Sequence, residues 1–106
     1  MKEKPNLTYI NALSGGDIEF EKKLINIIKK EFPFEKEVYY KNLKEKKYQE
    51  VAENVHKLKH KISILGLENS YQLAVTYENN LKESNIALKE DFQLILKNIT
   101  NFLNTL

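Results

Sequence analysis

Apolar residues recur along this chain at steps of three and four, in blocks separated by turn-forming residues. That period is the signature of helices with one buried face. Pro5 and Asn6 precede a short apolar cluster, Leu7, Tyr9, Ile10 and Leu13, which predicts a brief first helix. Ser14-Gly15-Gly16-Asp17 then reads as a turn, in which Gly tolerates the helix exit and Asp17 can cap the amides of the next helix. From Ile18 to about Glu31 the stripe is Phe20, Leu24, Ile27 and Ile28. Pro33 lacks an amide hydrogen and crowds the preceding turn, so a kinked continuation or a very short break is expected there. The pattern resumes with Val38 and Leu43 and should end near Lys46.

The clearest stripe follows between Lys47 and Leu65, where Val51, Val55, Leu58, Ile62 and Leu65 fall at steps of four, three, four and three. At about 100° per residue these five share roughly 80° of arc, which predicts a bundle-facing helix ended by Gly66 in a left-handed conformation. A fourth helix is expected over Glu68–Ser84, with Leu73, Ala74, Tyr77 and Leu81 inward and Ser84-Asn85 as its closing turn. The last, Ile86–Leu106, carries Leu88, Phe92, Ile95, Leu96, Ile99, Phe102 and Leu103 without an intervening Gly or Pro. Four amphipathic helices joined by short connections must bury their stripes against one another. The expected fold is therefore all-α, an antiparallel four-helix bundle with a short additional N-terminal helix packed across one end. Residues 1–106 are read as one domain, and a monomer is expected because the four stripes can be buried internally.

Composition narrows the chemistry. The absence of Cys removes disulfides, thiolate nucleophiles and Cys-ligated metals. The net charge of +2 argues against nucleic acid as a partner, even with Tyr39, Tyr40 and Tyr48 near a basic segment. Between Lys41 and Lys61, seven Lys against three Glu leave a local excess that could steer an acidic surface or a phosphate. No stretch reaches the length of a membrane span, and Met1-Lys2-Glu3-Lys4-Pro5 lacks the apolar run of a secretory signal. A cytoplasmic location with no membrane association is the expectation.

His56 follows Val55 and so lies well off the middle of the buried stripe, on the solvent side of its helix. Ala52, Lys59 and Ser63 flank it at helical spacings. Ala and Ser are small enough for a partner protein to approach, and Lys59 is one turn away, where it could stabilise phosphate oxygens. A neutral imidazole can attack through one nitrogen while a hydrogen bond orients the other, which suits it to carrying a phosphoryl group. His56 and His60 also have the i, i+4 spacing of a two-histidine chelate. The intervening Lys57, Leu58 and Lys59 do not form a His-Glu-x-x-His motif and the lysines repel a cation, so no metal site is expected.

Several elements in order carry a wider resemblance. Asp17-Ile18-Glu19-Phe20 follows the Gly-Gly turn; Val51-Ala52 and Val55-His56-Lys57-Leu58-Lys59 come next; Gly66 stands ten residues after His56; and Leu73-Ala74 precedes Tyr77-Glu78. Together, over roughly residues 7 to 84, these resemble the histidine phosphotransfer (HPt) domain family. The resemblance implies that His56 is the phosphorylated residue and Lys59 the positive residue that meets the phosphoryl group. It implies a phosphorelay intermediary between receiver domains, those of a hybrid histidine kinase and a response regulator. The domain would be a phosphoryl carrier with no intrinsic cofactor and no autonomous kinase activity, and magnesium would belong to the partner receiver. Glu78 resembles the glutamate that orients the reactive imidazole in the related phosphoacceptor domain of chemotaxis kinases. Ala52, Lys57, His60 and Ser63 would face the partner.

One position departs from that pattern. The family usually has Gly immediately after the motif lysine, and this chain has His60. His60 can turn outward to meet the partner or phosphate, or obstruct docking. Two alternatives therefore stand beside the relay: a noncatalytic receiver-binding module, and a structural helical bundle in which His56 is incidental.

Overall fold

Burying the stripes requires each helix to find a neighbour, and the order of packing follows the order of the chain. The computed structural model describes residues 3–106, with α1 (Thr8–Ser14), α2 (Ile18–Lys44), α3 (Tyr48–Ile64), α4 (Glu68–Leu81) and α5 (Lys89–Leu103). The fold is all-α: four main helices and a short N-terminal one. α3 packs most heavily on α4 and α2; α5 closes the bundle against α4 and α2, and α1 rests on α2.

α3 is the central element. Val51, Val55, Leu58, Ile62 and Leu65 are all completely buried, as their spacing predicts. They meet Ile28 and Phe32 of α2, Ala74, Tyr77 and Leu81 of α4, and Phe92, Leu96 and Ile99 of α5 in one core. Leu73, Leu88, Ile95 and Phe102, expected inward, lie partly buried at its edge.

α2 departs from expectation in part of its buried face. Ile28 of the expected stripe is buried, but Phe20 and Ile27 are exposed, and Phe32 and Tyr39 are buried with Ile28 instead. The helix carries two stripes, and the one facing the core is turned by roughly a quarter circle from Phe20 and Ile27. Leu24 packs against the core edge between them. Of the two outcomes expected at Pro33, continuation and not a break is found, since α2 runs through it without interruption. Its ring lies on the exposed side, so the Lys29 carbonyl that loses a partner can turn to water.

Tyr39 and Tyr77 touch inside the core, their hydroxyls 2.8 Å apart and hydrogen-bonded to each other. Each phenol thus gives the other a polar partner where both are fully buried, and burial pushes both pKa values upward.

Two helix starts are fixed by side-chain caps. Asp17 accepts from the Phe20 amide at 3.1 Å and starts α2. α4 has no side-chain cap of its own; the Glu3 carboxylate supplies one from the far N-terminal segment, accepting from the Asn69 and Ser70 amides at 2.7 and 2.8 Å. Gly66 adopts φ +78°, the left-handed turn between α3 and α4. A Cβ there would also meet the Asn6 side chain at 2.5 Å. Gly66→Ala should therefore destabilise the domain by about 1–2 kcal/mol, read as a lower midpoint in urea or heat with helicity retained. An unchanged midpoint would show that the α3–α4 turn relaxes without strain.

Candidate functional site

The site forms where the outer edge of α3 meets the inner edge of α4. His56 is placed off the buried stripe, and its side chain is 55% exposed. Glu78 follows Tyr77 on α4 and is drawn into the seam between the helices; it is the charged residue counted with the core among the described residues. Its side chain is only 11% exposed.

A carboxylate in that position needs partners, and α3 supplies them. His56 Nδ1 lies 3.2 Å from Glu78 Oε2, within hydrogen-bond geometry. Lys59 Nζ approaches the other oxygen, Oε1, to 2.8 Å. This second contact is an ion pair without good hydrogen-bond alignment, since Oε1 has no aligned donor. Lys82, one turn further along α4, stands 3.9 Å from Oε2. Burial alone would raise the Glu78 pKa, but Lys59 and then His56 outweigh it, and the carboxyl is held below its usual value.

An ionised carboxylate can only accept. The proton at the His56–Glu78 contact is therefore on Nδ1, and a neutral His56 keeps the lone pair on Nε2, the nitrogen directed away from Glu78. The arrangement presents an exposed imidazole, engaged at Nδ1 by a carboxylate and with its other nitrogen available as a nucleophile. A buried carboxylate behind it can stabilise positive charge on the ring.

The structure brings together His56, Lys59 and Glu78, but assigns Lys59 a different first contact from the one expected. Its side chain is only 14% exposed, its ammonium is paired with Glu78, and it lies 5.7 Å from the Tyr71 ring centre. Lys59 thus acts on His56 through the carboxylate. Ala52 is buried and forms the floor of a depression of about 380 Å³ that also contains His56, Lys57, Glu78, Gln49, Glu53 and Lys82. His60 is exposed, and its ring stands against that of His56 at 87°, with centroids 5.4 Å apart. Ser63 is exposed but lines a separate recess with Asn6, Thr8 and Tyr9, so it is not part of the His56 depression. Two α3 turns, about 10 Å of helix rise, separate it from His56.

Lys82 and Gln49 are the residues that sequence reasoning missed. Lys82 carried a usable signal, the i, i+4 spacing from Glu78. Gln49 carried none: it enters through the tertiary contact of its amide with the Lys82 carbonyl at 2.9 Å.

Among the described residues no three His, Asp or Glu side chains cluster so as to hold a metal, and no helix is long and apolar enough to cross a membrane. A scan against protein-family models, a search of curated proteins and a search of solved structures each find no match to the chain.

The electrostatics predict a pH dependence. Because the folded-state pKa of Glu78 is depressed, its stabilisation is present above the ordinary carboxyl value of 4.5 and is lost as pH falls through the folded value. Glu78→Gln should be about 1–2 kcal/mol less stable than wild type at pH 7. Thermal melts in a pH series should show that gap narrowing progressively below the ordinary carboxyl range. A gap that persists undiminished into acid would mean that ionisation of Glu78 is not its source.

Proposed function

We propose that this chain is a phosphoryl carrier of the histidine phosphotransfer type, accepting the group on His56 from a receiver-domain aspartate and passing it to a second receiver. The observation that carries this reading is the exposed imidazole whose Nδ1 is held by a buried, ionised Glu78. The resemblance of the His56-Lys57-Leu58-Lys59 segment, with Gly66 after it, agrees in the same residues.

In the forward step, the Nε2 lone pair attacks the phosphorus of the receiver's aspartyl phosphate in line. The N–P bond forms as the P–O bond to the aspartyl carboxylate breaks, and the carboxylate leaves with that electron pair. The His56 ring becomes positively charged with its Nδ1 proton still donated to Glu78, which stabilises that charge. The return step reverses these changes on a second receiver. Magnesium belongs to the receiver's acidic pocket, and the carrier needs no nucleotide of its own. Lys59 keeps Glu78 ionised and in place. Lys57 and Lys82, which line the depression around His56, offer positive charge to an incoming acidic pocket. The proposed partners are the receivers of a hybrid histidine kinase and a response regulator, met in the cytoplasm by a monomeric carrier.

Incubation with phosphorylated receivers tests this directly. Acid-labile, base-stable phosphate should appear on the wild-type chain and be absent from His56→Gln, with helical content unchanged. Glu78→Gln should still accept phosphate, but about tenfold more slowly, because the ring is no longer held in one tautomer. Receivers that bind the wild type without transferring phosphate would leave a noncatalytic docking module in place of a carrier.

A further inference from the structure

Glu78 holds the His56 ring at one nitrogen only, and one hydrogen bond at its rim leaves an exposed ring free to rock about its Cβ–Cγ bond. Something else must fix the plane. Helical side chains lean toward the N-terminal end of their helix, so the residue at i+4 lies over the turn that carries residue i. At position 60 that residue is an imidazole, and it meets the His56 ring edge-on at 87° with centroids 5.4 Å apart. This separation and angle are those of a T-shaped aromatic contact.

We propose that His60 is a positioning residue: its ring buttresses the His56 imidazole so that Nδ1 stays on Glu78 and Nε2 stays directed to the partner. This rests on the reading of His56 as the phosphoryl acceptor. The two restraints are complementary. Glu78 acts in the plane of the ring from α4, and His60 acts through a perpendicular ring contact from the next turn of α3. His60 also closes the C-terminal side of His56. The side left open is the depression floored by Ala52 and edged by Gln49, Lys57 and Lys82. A receiver must therefore approach from the N-terminal half of α3 and the C-terminal end of α4, and its surface must leave room for the His60 ring.

The experiment combines two readouts on the full chain, for wild type, His60→Gly and His60→Phe. The first is nitrogen NMR of the His56 ring, which reports the tautomer without any phosphate. The second is labelling of His56 by phosphoramidate: Nε2 forms the new N–P bond, the donor's P–N bond breaks, and the leaving nitrogen takes a proton from solvent and departs as ammonia. Wild type should show the Nδ1–H tautomer. His60→Gly should show a mixture of tautomers and label about tenfold more slowly, since a small misplacement of a nucleophile is enough to cost that much. His60→Phe, which keeps the perpendicular ring without its nitrogens, should restore both. Wild-type tautomer and wild-type labelling in His60→Gly would overturn the positioning role. Slow labelling in both variants would also overturn it, by showing that a His60 nitrogen acts directly. If wild type takes no label, the carrier reading fails, and the tautomer signal still decides whether His60 holds the ring.

Discussion

A carboxylate that is drawn out of water between two helices has to be given cations and donors by those helices, and Glu78 imposes this condition on the α3–α4 pair. Lys59 answers one oxygen and His56 the other. These two residues are three apart on α3, so a single carboxylate reads out the face of almost one full turn. Rotation or slippage of α4 would leave that charge without its partners at the seam. The turn at Gly66, the cap donated by Glu3 to the start of α4, and the apolar stripe of α3 all set the distance across which Glu78 reaches. The site and the hairpin that builds it are held by the same contact.

The same accounting changes the meaning of the basic segment. Seen as a run of residues, Lys41–Lys61 is a positive patch. In the folded chain its members have separate duties: Lys47 pairs with Glu45, Lys59 with Glu78 on α4, and Lys61 with Glu31 and Glu35 on α2. Lys59 and Lys61 therefore tie α3 to its two neighbours on opposite sides. The charge available to a partner near His56 comes from Lys57 and from Lys82, which lies outside the segment altogether.

The bundle was readable because α3, α4 and α5 each bury one dominant stripe, and a single stripe fixes which face turns inward. α2 was misread for the corresponding reason. Phe20 and Ile27 have helical spacing as good as that of Ile28, Phe32 and Tyr39, and periodicity cannot rank two stripes on one helix. At the site, the resemblance carried by the Tyr77-Glu78 stretch named Glu78 as the partner of His56, and that contact is present. The commitment of Lys59 to Glu78 was not visible, because a sequence gives the turn on which a lysine lies but not which of several anions its flexible arm will choose. The tertiary position of Gln49 was hidden for the same reason.

The hydroxyl pair of Tyr39 and Tyr77 has a consequence for how the helices are indexed against each other. Apolar contacts between α2 and α4 would tolerate a shift of one turn, since one methyl group packs nearly as well as the next. Two buried hydroxyls that hydrogen-bond to each other do not tolerate it. A shifted pairing would leave both buried without that partner, so the pair singles out one alignment from a ladder of near-equal ones. Glu78 is the very next residue after Tyr77, and any alignment error in α4 would travel directly into it. A phenol pair deep in the bundle thus sets the address at which the surface imidazole finds its carboxylate.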